Sequence, residues 1–122
     1  MNRITHFEIA AEKPDRAVEF YSNIFGWKIS KWDGPTPYWL VSTGEGSPGI
    51  NGGIIEKTEQ LPSVINTIDV ENLDSTIEKI VAAGGSIHFP KMVIPSVGYM
   101  AYCKDTEGNV FGVMQEDPNA KE

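Results

Sequence analysis

The feature that most limits what this chain can become is a change of period within one stretch, HFEIAAEKPDRAVEFYSNIFGW, from His6 to Trp27. Between His6 and Ile9 polar and apolar residues alternate, His6 and Glu8 against Phe7 and Ile9, as in a strand buried on one face. From Pro14 onward Ala17, Val18, Tyr21, Ile24 and Phe25 fall at helical spacing, and proline suits a first helical turn. Gly26 then stops the helix. The stretch predicts strand, helix, strand. If Phe7 and Ile9 pack beneath the helix, His6 and Glu8 point the other way, and chemistry is expected on that opposite face.

A chain of 122 residues suits one domain, able to bury roughly two-thirds of the surface its unfolded form exposes. It needs no disulfide. Cys103 is the only cysteine, which excludes an internal bridge and a Cys-rich metal site; it reads as a small core residue in a strand. The net charge of −7, with no run of Lys or Arg, leaves no source for the phosphate neutralisation that dominates nucleic-acid affinity. Nucleic acid and anionic membranes are therefore not expected partners. MNRITHFEIA lacks the apolar core of a secretory signal and no window is long enough for a membrane span, so a cytoplasmic setting is expected.

Further along, WKISKW and TPYWLVST read as a hairpin around Asp33-Gly34-Pro35. Gly44-Glu-Gly-Ser-Pro-Gly49 has the spacing of a dinucleotide loop, but INGGIIEK follows where that loop would need a helix N-terminus, so it reads as a turn leading into a strand at about Gly53 to Glu56. After the polar segment 57–62, SVINTIDV alternates as a strand. Asn72 is placed to cap a helix marked by Leu73, Ile77, Ile80 and Val81, which Gly84-Gly85 ends. SIHFPKMVIP, VGYMAYCKD and NVFGVMQ are three more strands, the last two joined by a turn at Asp105–Asn109.

Both halves thus run strand, helix, strand, strand, strand, a duplication in pattern rather than in letters. Setting Gly26 against Gly85 pairs His6 with Ile65 and Ile9 with Ile68. The predicted class is α+β: two tandem βαβββ modules, about 1–57 and about 63–117, within one domain. Their mixed sheets are expected to curl around a central cavity with the helices outside, and a sheet-lined cleft is the expected ligand site.

With His6, AVEFYSNIFGW, the second helix ending AAGG and the closing DTEGNVFGVMQ, the chain resembles the vicinal oxygen chelate superfamily, which includes glyoxalase I, the bleomycin-resistance proteins and the extradiol dioxygenases. The resemblance covers essentially the whole chain and implies a homodimer of paired βαβββ modules. Metal-using members place one ligand on the first and one on the last strand of each module. His6, fourteen positions before Phe20, matches the first ligand; Glu56, ending GGIIE, is read as the second. The third position falls on Ile65 or Asn66 and the fourth on Gly112, none of them usual ligands there. A catalytic zinc site takes three protein ligands, so the resemblance implies a pocket without the four-ligand metal site. No cofactor is expected; a divalent metal on His6 and Glu56 is the alternative.

His6 and Glu8, about 6.5 Å apart along one strand face, are candidates for acid–base work, with Glu56 beside them. Their carboxylates would raise the His6 pKa while burial would lower it, so its direction is open. Trp39 and Tyr99 are the aromatic residues expected to stack on a flat ligand; Trp27, Phe20, Phe25 and Phe111 read as core. The function expected is binding of a small organic molecule in the sheet-lined cavity. The alternatives are a metal-dependent lyase, isomerase or dioxygenase with a reduced site, and a structural dimer with a filled interior.

Overall fold

The structure is a computed structural model and describes residues 1–122. The chain forms the expected α+β class, with eight strands and two helices in the repeated order βαβββ. It divides into two compact units, one spanning 6–65 and the other joining 1–5 to 66–122.

The first unit holds β1 (Ile4–Ala11), whose first two residues belong to the other unit, then α1 (Pro14–Phe25), β2 (Lys28–Lys31), β3 (Tyr38–Ser42) and β4 (Asn51–Glu56). Its strands lie in the order β2-β3-β4-β1. β1 and β4 are parallel, while β2, β3 and β4 pair antiparallel. Pro14 opens α1, and Gly26 closes it at φ 71°, its N–H donating to the Ser22 carbonyl at 3.0 Å. A left-handed residue at this point is the ordinary end of a helix, and glycine adopts it without strain. The helix lies on the Phe7 side of the sheet through an aromatic cluster. Trp27 stacks on Tyr21 at 4.9 Å and tilts against Phe7 at 5.8 Å, while Ile54 is fully enclosed. Phe20 and Phe25, expected in the core, are instead 55% and 60% exposed. Their rings touch only the rim of this cluster, through Tyr21 and Trp27. The glycine-rich segment 44–49 has no helix after it and runs into β4.

The second unit holds β5 (Val64–Asp69, entered at Asn66), α2 (Leu73–Ala82), β6 (Ser86–Ile94), β7 (Gly98–Lys104) and β8 (Val110–Glu116). The strand order is β5-β8-β7-β6, with β5 and β8 parallel and the other neighbours antiparallel. Asn72 caps α2 by accepting the Ser75 N–H at 2.9 Å, and the Gln115 side chain accepts that of Leu73 at 2.9 Å. Two orphan donors at the helix start are thereby satisfied. Val70, Leu73, Ala101, Cys103 and Val113 form the core under α2. The first five residues join this unit because Asn2 N–H donates to the Asp69 carbonyl (2.7 Å) and Asp69 N–H to that of Arg3 (3.0 Å). Asp105 ties the β7–β8 turn, its carboxylate accepting the N–H groups of Glu107 and Asn109 at 2.8 and 2.9 Å.

Candidate functional site

Residues paired across neighbouring strands share a face of the sheet, so register decides which side chains meet. In the first unit Phe7 pairs with Gly52 and Ile9 with Ile54, on the α1 side; His6 pairs with Asn51, Glu8 with Gly53 and Ala10 with Ile55, on the side away from it. The expectation that His6 and Glu8 turn away from the helix agrees with this register. In β3, Tyr38 pairs with Ile55 and Leu40 with Gly53, which places Tyr38 on the His6 side.

There Tyr38 Oη and His6 Nε2 lie 2.7 Å apart, a hydrogen bond in which the phenol donates whenever Nε2 is unprotonated. The phenol reaches His6 by crossing Gly53, where a Cβ would run into its ring and hydroxyl. Trp32 meets Tyr38 edge to face at 6.1 Å and folds over Gly34, where a Cβ would strike its ring. Two glycines thus make room for two aromatic side chains, and one of these fixes the histidine. Burial holds the His6 pKa below its ordinary value, against a smaller upward pull from the Glu8 charge. Glu8 itself is 4% exposed. The direction left open by the sequence is therefore downward, and near neutral pH the imidazole is uncharged and able to accept a proton.

Three expected site residues lie elsewhere. Glu56 pairs with Ala11 and falls on the α1 side, exposed, so it does not join His6 and Glu8, and the reduced His6–Glu56 metal site does not assemble. Trp39 pairs with Ile54 and also faces α1, with the Lys31 ammonium 5.5 Å from its ring. Tyr99 packs against the α2 core under the Lys91 ammonium at 4.8 Å. Each differs by an odd number of positions from a residue on the other face, and a one-residue step along a strand reverses the face. The aromatic residues on the faces away from the helices are Tyr38 and, in the second unit, Tyr102, which pairs with Gly112.

The second unit repeats the pattern. Thr67 pairs with Gly112 as Glu8 pairs with Gly53, each residue 59 positions after its counterpart. A Cβ on Gly112 would come within 2.7 Å of Thr67 Oγ1. That hydroxyl is buried and has no hydrogen-bond partner. Neither Thr67 nor Gly53 stands out in the sequence, although the 59-residue repeat given by the Gly26–Gly85 match leads from Gly112 to Gly53.

The register therefore moves the second ligand position implied by the family resemblance from Glu56 to Gly53. Of the four positions, His6, Gly53, Ile65 and Gly112, only the first carries a donor side chain. No three His, Cys, Asp or Glu side chains converge anywhere on the chain. The residues present do not fit a chelated divalent ion, which needs at least three protein ligands as zinc or a larger oxygen set as calcium or magnesium.

Two βαβββ units, each with its helix on one sheet face and a glycine-floored opposite face, define the class. The chain belongs to the Glyoxalase/Bleomycin resistance protein/Dioxygenase superfamily, whose profile matches residues 3–113. Among its relatives is a glyoxylase-like domain-containing protein of Didymella fabae, 30% identical over 91% of each chain. A Mycobacterium bovis protein with the provisional name glyoxylase CFP32 is 31% identical over 91% of this chain, which spans 43% of that protein's length. The fold is shared with hypothetical protein BH1468 of Bacillus halodurans (TM-score 0.70, 15% identity, 99% of each chain). It is also shared with methylmalonyl-CoA epimerase of Mycobacterium tuberculosis (TM-score 0.68, 14% identity, 94% of this chain and 88% of that one).

Proposed function

We propose that this protein binds a small organic molecule on the sheet face carrying His6 and Tyr38, and does so without a four-ligand metal site. One observation carries the reading: at Gly53, where the repeat puts a ligand position, there is no side chain, and the Tyr38 phenol crosses the space to hydrogen-bond His6. A neutral imidazole joined to a phenol offers a ligand both a hydrogen-bond donor and an acceptor. A carbonyl or hydroxyl group is the chemistry it suits. The same pair can take a proton from a carbon next to a carbonyl: the Tyr38 oxygen accepts it while passing its own proton to His6 Nε2, and Glu8 stabilises the imidazolium that forms. In this reading the chain works in the cytoplasm as a homodimer, and the exposed Phe20, Ile24 and Phe25 of α1 are apolar surface available for pairing.

The test is a fragment screen on chelator-treated protein, following the His6 ring resonances by NMR. Carbonyl-bearing ligands should shift them, binding should survive the chelator, and Tyr38→Phe should weaken it by roughly five-fold, the worth of one neutral hydrogen bond. Binding that appears only when a divalent ion is restored would refute the proposal.

A further inference from the structure

In the second unit the sheet face away from α2 carries two cross-strand rows. One runs Thr67, Gly112, Tyr102, Phe89 and the other Asp69, Met114, Met100, Met92. Three of the chain's four methionines thus stand side by side on neighbouring strands, about 5 Å apart from strand to strand. Beside them Phe89 meets Tyr102 edge to face at 6.0 Å. Thioethers are polarisable and unbranched, rotate out of the way readily, and make favourable contacts with aromatic rings. A face built from them accepts flat apolar molecules of varied outline. Met100 and Tyr102 are buried, Met114 is half-buried, and Met92 at the edge is 38% exposed.

At the β5 end of the other row, beyond Phe89, Tyr102 and Gly112, lies the Thr67 hydroxyl, 4% exposed and without a hydrogen-bond partner. An orphan buried hydroxyl destabilises the fold, and valine would fill the same volume without it. Its cross-strand neighbour Gly112 carries no Cβ; one there would stand 2.7 Å from Oγ1.

We infer that this methionine and aromatic face binds a flat, uncharged aromatic molecule, and that Thr67 donates its hydroxyl to a carbonyl or ether oxygen on that molecule. The inference rests on the reading of the chain as an organic-molecule binder and names the class of ligand. Tyr102 and Phe89 supply ring contacts, the three thioethers a floor that adapts to shape, and Thr67 the one directional contact.

The experiment uses the full chain with carbon-13-methyl methionine and two probes of matched shape, 2-acetylnaphthalene and 2-ethylnaphthalene. Ring currents from a bound naphthalene should shift the methyl signals of Met92, Met100 and Met114 and leave that of Met1 in place. Thr67→Val should bind the ketone about five-fold more weakly, leave the hydrocarbon unchanged, and melt at or above the temperature of the parent protein; Thr67→Ser should keep the preference for the ketone. Silent methionine signals at saturating probe, or equal weakening of both probes by Thr67→Val, would overturn the inference. Probe-induced shifts of the His6 ring alone would overturn it while leaving the proposed function standing; if neither the methionines nor His6 respond to any probe or fragment, both fall.

Discussion

Tyr38 lies across Gly53, in the space that any larger residue at that position would claim. The consequence is chemical as well as steric, because the phenol ends 2.7 Å from His6 Nε2. Gly53→Ala should expel the ring, break that bond, and destabilise the fold by about 1–3 kcal/mol, the usual range for overpacking a filled site. Thermal denaturation measures the loss. Loss of Tyr38–His6 contacts in NMR spectra of the same variant would show that the ring has moved.

The depressed His6 pKa carries a stability signature. Above about pH 6.5 the imidazole is neutral in both the folded and the unfolded chain. As the pH falls through that value the unfolded chain takes up its proton first, so stability declines, and the contribution is wholly lost once the pH has passed the lower folded pKa. His6→Gln should flatten this part of the stability profile. Denaturant midpoints measured at intervals from pH 7 down to pH 5 test it, and a profile identical to that of the parent protein would contradict the assignment.

Cys103 is fully buried in the core under α2, and burial pushes its thiol pKa up. A protonated, enclosed thiol reacts slowly. Under native conditions a thiol reagent should modify it only as fast as the structure opens, and in denaturant at once. Cys103→Ser, which puts a hydroxyl in the same apolar site, should destabilise the protein by about 1–3 kcal/mol.

Leu73 is fully enclosed where α2 begins. Leu73→Ala should lower stability by about 2–5 kcal/mol, the range for truncating a core leucine, with no effect on the His6 resonances of the first unit. In contrast, Phe20→Ala on the exposed side of α1 should change the stability of the isolated chain by less than about 1 kcal/mol.

The elements were legible in the sequence because their signals are local. The change of period at Pro14, the Gly26 stop, the Asn72 cap and the Asp105 turn each act within a few residues. The faces were legible only where polar and apolar residues alternate, as in His6–Ile9. YWLVS, NGGIIE and GYMAYCK do not alternate, so either face is open to their side chains, and Trp39, Glu56 and Tyr99, expected near His6 or a ligand, lie on the helix side of their sheets. Register settles such strands, and register depends on long-range pairing. Gly53 escaped notice because a glycine carries no chemistry of its own; its role is the volume it leaves to Tyr38. Thr67 looked like an ordinary strand residue, since nothing local shows that its hydroxyl lacks a partner.

The most direct test of the central claim is a calorimetric titration of chelator-treated protein with manganese, cobalt, nickel and zinc ions, run beside His6→Ala. No ion should bind at one per chain with affinity tighter than about micromolar, a binding free energy of roughly −8 kcal/mol, and the two proteins should not differ. One ion held per chain at nanomolar affinity, and lost with His6, would contradict it.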